Sequence, residues 1–385
     1  MRALFGLGFR PFYLLAALFS VVGLGYWLLS YLAVVDGGGY LRGVFWHSHE
    51  MVFGFAVAVV SGFLLTAVRN WTGRATPTGL TLALLAGLWL LGRMLIVTGP
   101  PMIAAFVDVL YLPFLIVAIA LPILSSRNQR NYKVVVLLLL VALVHGVFHI
   151  ASLGPFPAWL AYTTIIVTLD LLTILYAIVA GRVIPAFTQN AIAGAEPRTS
   201  MWIEVLVFGA MLLIIALRVA SDWMVIPVML STTLLAIAAV AHAFRLALWQ
   251  PQLTLGNPLL WMLPVAYSWL PVAFMLRALA QHGVVMPATW IHALTAGAIS
   301  SLMLAMMMRS TLGHTGRPLA AGGLDMTTFL LLQLAGILRV TAGLFGGAYT
   351  TVTVVSGTIW MLAFGLFAVR YLPMLTSPRI DGRPG

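Results

Sequence analysis

The stretch KVVVLLLLVALVHGVFHIASL, Lys133–Leu153, decides the fold. It lies between a lysine and Gly154-Pro155, and it has the length of about 20 apolar residues that a helix needs to cross a bilayer. A barrel strand would alternate over about ten residues, which this run does not do. Two imidazoles are set into its second half, at His145 and His149. Histidine within a span is costly unless its ring nitrogens are satisfied, so this helix is a candidate functional element. The spacing of four puts both rings on one face, able to grip one metal or to address two neighbouring centres.

The rest of the chain follows the same pattern. Hydrophobic residues make up 62% of 385 positions and charged residues 8%, and the mean hydropathy is +1.07. These values lie far outside the range of a water-soluble domain and make the lipid bilayer the main partner. Apolar runs occur near 11–35, 44–68, 79–98, 101–124, 133–153, 158–184, 200–220, 223–248, 257–279, 287–310, 324–346 and 350–373. Gly37-Gly38-Gly39, Gly99-Pro100-Pro101, Gly154-Pro155, Pro251 and Gly316-Arg317-Pro318 punctuate them. The expectation is an all-α, polytopic transmembrane bundle of about twelve spans, forming a single membrane domain over residues 1–385. No internal repeat stands out. The opening MRALFGLGFRPFYLLAALF has the basic start of a signal peptide, but its apolar run continues to about Val35 without a small-residue cleavage site. It reads as the first membrane helix.

The cations orient the bundle. With twelve spans, fifteen of the twenty Lys and Arg fall on the side of the termini: Arg2, Arg10, Arg69, Arg74, Arg127, Arg130, Lys133, Arg182, Arg198, Arg245, Arg309, Arg317, Arg370, Arg379 and Arg383. Arg42, Arg93, Arg218, Arg277 and Arg339 fall on the other. The positive-inside rule then places both termini in the cytoplasm. The net charge of +11 sits on isolated arginines with no basic face to follow a phosphate backbone, so nucleic acid is not a partner.

This topology gives the histidines depths. His47 and His49 lie where the second span enters from the outer face, His145 and His149 in the outer half of the fifth, and His292 in the first turns of the tenth. Five of eight histidines therefore share one level; His282 is in the outer loop before the tenth span, and His242 and His314 are near the cytoplasmic side. His47 and His49 are about 200° apart on a regular helix, so they face different partners unless the helix start is irregular. Glu50 is placed to orient the His47 ring, and Trp46 suits an interfacial anchor. The alternative for this segment is a polar cap at a helix entrance.

Cysteine is absent, which excludes disulfides, thiolate metal sites and iron–sulfur clusters. Imidazole without thiolate points to haem iron, copper or zinc. A haem between helices explains the membrane setting best, with a b-type haem as the working guess. Its propionates would need cations at the interface, which Arg93, Arg218, Arg277 and Arg339 can supply. Their alternative role is pairing with Asp108, Asp222 or lipid head groups, or snorkelling. Met303, Met306, Met307 and Met308 thicken a stripe below His292 and read first as packing. Asp170, near the middle of the sixth run, and Glu204, near the inner end of the seventh, read as proton relays or interhelical glue.

Four strings are more specific. FRPFYLLAALF (from Phe9), WHSHEMVFGFAVAVVSGFLLTAVRNWTGR (from Trp46), AGRVIPAFTQNA (from Ala180) and WIHALTAGAISSLMLAMMMRSTLGHTGRP (from Trp290) resemble the NnrS family. The resemblance implies a multi-pass protein of the bacterial inner membrane with about twelve helices, containing haem and copper. It also implies a role in nitric oxide metabolism, in denitrification or under nitrosative stress. The histidines within the matching strings are His47, His49, His292 and His314. The chain departs from the family at two points. LPVAYSWLP, from Leu263, carries Pro264 where the pattern LHxAYxWLP has a histidine, and Arg69 replaces a typical proline before Asn70.

The expected function is a haem-binding membrane protein, with copper as a candidate second metal, that meets nitric oxide near the periplasmic face. His47, His49, His145, His149 and His292 are the expected metal ligands, and His314, Arg93 and Arg339 the expected cofactor contacts. If the protein is catalytic, it is a metal-dependent oxidoreductase directed at NO, although no electron-donor site is evident. The rival readings are a membrane transporter whose histidine layer handles a metal ion, and an assembly factor.

Overall fold

The computed structural model describes residues 3–382. Arg2 and Arg383, counted in the charge bias, lie outside the described residues. Every regular element among the described residues is helical. In chain order these are α1 (Phe9–Tyr31), α2 (Gly43–His49), α3 (Val57–Thr72), α4 (Gly79–Thr98), α5 (Pro101–Ser125), α6 (Tyr132–Leu153) and α7 (Ala158–Ala191). Then follow α8 (Met201–Ala220), α9 (Val228–Leu248), α10 (Pro258–Gln281), α11 (Pro287–His292), α12 (Ser300–His314), α13 (Gly323–Thr341) and α14 (Tyr349–Thr376).

Among the described residues, eleven helical segments are long and apolar enough to cross a membrane. The last of these, Gly323–Thr376, is 54 residues long, far more than the ~20 that span a bilayer. It is broken at Gly346, whose φ of 49° and ψ of −115° are not helical. The Ser356 hydroxyl donates to the Ala335 carbonyl at 2.8 Å, so α14 lies back along α13. The twelve apolar runs of the sequence thus correspond to helical traverses, and the chain is a multi-pass membrane protein.

The chain forms two compact units, residues 3–172 with 310–318 and 364–382, and residues 173–309 with 319–363. In the first, Arg10 is 1% exposed and its Nη1 donates to the carbonyls of Met374, Leu375 and Ser377 at 3.2, 3.1 and 2.7 Å. The last turn of α14 exposes carbonyls with no intrahelical partner, and a guanidinium is the natural cap for them. The Phe9 amide donates to Thr66 Oγ1 at 3.0 Å, tying α1 to α3.

In the second unit, Arg245 grips Glu204 through Nε at 2.6 Å and Nη2 at 2.7 Å. Its Nη1 donates to the Tyr267 hydroxyl at 3.1 Å, and Gly181 leaves room for the guanidinium. Glu204 is therefore interhelical glue here, one of the two roles expected for it. The Trp269 indole donates to Gln333 Oε1 at 2.8 Å, and Gln333 Nε2 donates to Ser301 at 2.6 Å.

Although no repeat stands out in the sequence, one local device occurs in each unit. A short helix ends in histidine, at His49 or His292, and a seven-residue π-helical segment comes next, Glu50–Ala56 or Ala293–Ile299. The fifth residue of each segment is a glycine roofed by an aromatic ring of the preceding span. A Cβ on Gly54 would lie 2.7 Å from the Phe19 ring, and one on Gly297 2.6 Å from the Trp269 ring. The wider π turn shifts the side chains beyond it by a fraction of a turn, which is why such segments recur at functional sites.

Gly54→Ala and Gly297→Ala should each destabilise the detergent-solubilised protein by about 1–3 kcal/mol through overpacking, read as a lower thermal midpoint. Gly87→Ala, where a Cβ meets no heavy atom within 4 Å, should be neutral or stabilising by up to about 1 kcal/mol.

Candidate metal centre

Four spans of the first unit contribute to one buried cluster. Their ligand-bearing ends alternate along the chain as beginning, end, beginning and end of successive spans, so they meet at one face of the membrane. His49 closes α2, and Glu50 opens the π segment. Arg93 lies in the last two turns of α4, and Asp108 comes in the second turn of α5. The tight Gly99-Pro100 turn, with Pro101 at the first helical position, brings these two elements together. Gly92 lets them close, since a Cβ there would sit 3.1 Å from Asp108 Oδ1. His145 and His149 project from one face of α6.

His49, Asp108, His145 and His149 offer four ligand atoms that all lie within 4.8 Å of one another. Asp108 Oδ2 is 3.0 Å from His49 Nε2, 3.2 Å from His145 Nε2 and 3.1 Å from His149 Nε2. His145 Nε2 is 3.2 Å from His49 Nε2 and 3.0 Å from His149 Nε2. A tetrahedral ion with bonds of about 2.0 Å has ligand-to-ligand edges of about 3.3 Å, so five of the six edges are close to that figure. A haem iron does not fit these four atoms. Porphyrin occupies its equatorial plane and leaves two opposed axial positions, whose ligand atoms lie about 4 Å apart.

Hydrogen-bond accounting also calls for a cation. His49 Nδ1 donates to Glu50 Oε1 at 2.8 Å, and an ionised carboxylate only accepts. The neutral His49 ring then turns the lone pair of Nε2 towards Asp108 Oδ2, which also carries lone pairs. At 3.0 Å the two repel unless a proton or a metal ion lies between them. Arg93 holds both acids: Nη1 donates to Glu50 Oε1 at 2.5 Å, and Nη2 donates to Asp108 Oδ1. With both acids ionised and the three rings neutral, two carboxylates against one guanidinium leave one negative charge in excess, and every member of the cluster is at most 5% exposed. An uncompensated charge buried in this way costs several kcal/mol. A bound cation removes that cost and turns the crowded nitrogens into ligands.

The outer side of each ring is supported in its own way. Glu50 orients His49, and a carboxylate on the far nitrogen of a ligating imidazole raises its basicity. His145 stacks on Phe53 with ring centroids 3.9 Å apart. His149 Nδ1 lies 2.5 Å from the Tyr40 hydroxyl. Tyr40 belongs to the segment between α1 and α2, outside the spans, and burial raises its phenol well above the ordinary value, so it stays neutral. Once His149 Nε2 is committed to a cation, its Nδ1–H donates to the phenolic oxygen. Gly39, at φ +94°, seats this segment against the Ile96 carbonyl of α4, where a Cβ would clash.

The structure gathers three of the five histidines expected as metal ligands, His49, His145 and His149, and places the other two elsewhere. His47 stacks on Trp27 with centroids 4.1 Å apart, so the two neighbouring histidines do face different partners. His292 belongs to the second unit, where its Nδ1 donates to the Ala288 carbonyl at 2.7 Å. His314 lies against Phe9 with centroids 5.6 Å apart. Arg339 Nη2 donates to the Tyr349 hydroxyl at 3.3 Å. Arg93, an expected propionate contact, is the clamp between Glu50 and Asp108. Glu50 orients His49, not the His47 for which it was expected, and Trp46 is buried against Tyr26 and not exposed at an interface. Pro264 is buried within α10. The residues that sequence reasoning missed are Asp108 as a candidate ligand and Tyr40 as a support for His149. The available signal was an acid inside an apolar run, at the same predicted level as the histidines.

Tyr40→Phe removes the acceptor for His149 Nδ1 without changing the shape of the segment. It should weaken metal binding about 10- to 100-fold, as loss of such supports does, measured by chelator competition, with the thermal midpoint of the metal-free protein unchanged. Glu50→Gln should weaken binding by a similar factor through His49.

No curated protein matches the chain. The NnrS protein family matches residues 3–379, which takes in every element of the cluster and nearly all of the sequence. The chain therefore belongs to the NnrS family.

Proposed function

We propose that this protein is a metalloprotein of the bacterial inner membrane that acts on or sequesters nitric oxide at an ion held by His49, Asp108, His145 and His149. The observation that carries this reading is the buried tetrahedron of three imidazole nitrogens and one carboxylate oxygen, closed by the Arg93 clamp. The membership in a family of nitric oxide-related membrane proteins points to the ligand. Copper suits the donor set: imidazole is a good ligand for it, and no thiolate is needed. The excess negative charge is balanced by one positive charge, which a copper(I) ion would supply. Zinc satisfies the same geometry but brings no redox chemistry. A haem, which the family also implies, would require a histidine outside the cluster.

Four protein ligands fill a tetrahedral ion, so NO would meet the bound ion as a fifth ligand or in place of one of the four. The protein's own residues do the rest. Arg93 fixes the two acids, Glu50 and Tyr40 set the tautomers of His49 and His149, and Phe53, Phe148 and the apolar helices exclude water. NO is small and soluble in lipid, so it reaches such a site without a channel. The positive-inside bias puts the cluster at the periplasmic face with both termini in the cytoplasm. The complete burial of all four ligands favours a resident ion over a transported one, since a transporter's site must open to one side.

The test is metal analysis of the purified, metal-loaded protein, with optical and paramagnetic-resonance spectra before and after addition of NO. A non-haem ion should be present, should respond to NO, and should be lost in Asp108→Ala and in the His145→Ala, His149→Ala double variant. Any haem absorption should survive in both. Retention of the ion in these variants, or a loaded wild-type site indifferent to NO, would overturn the proposal.

A further inference from the structure

Two of the five arginines on the minority side of the charge bias line the same cavity in the second unit. It has a volume of about 550 Å³ and lies where α8 ends, α9 begins and α10 ends, with Arg218, Arg277, Ser221 and Asp222 among its lining residues. These three ends belong to one membrane face, by the alternation of successive spans. Arg277 is 6% exposed, and its guanidinium lies over the Trp290 ring at 4.4 Å. One face of the guanidinium is covered by that ring, and its edge carries the N–H groups that recognise an anion. Arg218 Nη2 is 3.3 Å from Asp222 Oδ1 and its Nη1 donates to Ser221 Oγ at 3.1 Å, which orients this second guanidinium. Two arginines against one aspartate leave the lining with one positive charge.

The remaining lining is mixed: Ser231 and Gln281 are polar, whereas Leu217, Ile226, Val228 and the buried Ile214 and Leu235 are apolar. The rim formed by the α8–α9 connection exposes Trp223, Met224 and Val225 at 80%, 61% and 97%. A connection facing water gains nothing from these residues, whereas one dipping into the membrane interface has an indole and apolar side chains where lipid begins. The cavity thus has a cationic, hydrogen-bonding part, an apolar part and a lipid-compatible mouth. Its volume falls within the roughly 300–1,000 Å³ of ligand pockets.

We propose that this cavity binds an anionic phospholipid, with its phosphate between Arg218 and Arg277 and its acyl chains leaving over the Trp223–Val225 rim. Arginine forks match phosphate geometry, and basic pockets between membrane helices are suited to lipid head groups. The site lies wholly in the second unit and shares no residue with the metal cluster, so it does not depend on the metal reading.

The test is native mass spectrometry of the full chain in detergent, titrated separately with phosphatidylglycerol, phosphatidylcholine and inorganic phosphate. Phosphatidylglycerol should be retained at least ten-fold more strongly than phosphatidylcholine, and inorganic phosphate should not bind measurably. Arg277→Gln should lower phosphatidylglycerol retention at least ten-fold without changing metal content. Arg218→Gln, which alters a partly exposed side chain, should lower it as well and serves where Arg277→Gln fails to fold. Equal retention of the two lipids, phosphate binding as tight as lipid binding, or wild-type retention in a folded variant would overturn the proposal.

Discussion

The clamp of Arg93 between Glu50 and Asp108 is the constraint on which the first unit depends. Within a membrane span a lone arginine or acid costs about 2.5–3.5 kcal/mol even on the most lenient scale, and here three such groups lie together with three histidines. None is tolerable singly. Arg93 neutralises one acid and hydrogen-bonds both, which aims Asp108 Oδ2 and the His49 ring at the same point. The packing answers this requirement. The α4–α5 turn is short because the guanidinium must meet Asp108, Gly92 lacks a side chain where the two helices touch, and Gly54 admits Phe19 beside the aliphatic stem of Arg93.

The fold was legible in the sequence because its signal is redundant: each traverse needs about 20 apolar residues, and Gly and Pro mark most of the breaks. The candidate site was legible only in part. His49, His145 and His149 could be placed at one level by counting spans, but level is one coordinate of three. Which histidines converge depends on helix rotation and neighbour order, and an apolar periodicity cannot report these when a helix is hydrophobic all round. His47 was therefore indistinguishable from His49, and His292 from His149. Pairing with Asp108 is one of the alternative roles open to the four outer-side arginines, and the structure gives it to Arg93. The second oxygen of Asp108 was overlooked because one ion pair already accounted for an acid in that position.

The π-helical segments explain another gap. A regular helix separates His47 and His49 by about 200°, and the structure keeps that separation. The irregularity falls just after His49, so it redirects the residues on its C-terminal side. Glu50, first in the wide turn, bonds the ring of its immediate neighbour, and Phe53 comes to stack on His145. The second unit carries the same His-π-Gly arrangement with a different outcome. Ala293 stands in the place of Glu50, no acid faces the ring from that position, and His292 turns its Nδ1 to the Ala288 carbonyl of its own helix. Of the two occurrences of this backbone device, the one beside the cluster of ligand atoms has an acid directly after its histidine.

A haem site needs one or two imidazoles set on opposite sides of a wide apolar slot. The first unit instead packs three imidazoles and a carboxylate so closely that five of their separations are 3.0–3.2 Å. The excess negative charge left by Arg93 adds to the case, since a porphyrin's propionates would deepen it and a metal cation relieves it. Geometry and charge therefore favour the same occupant, and both stem from placing two acids and one arginine around histidines that have no water to turn to.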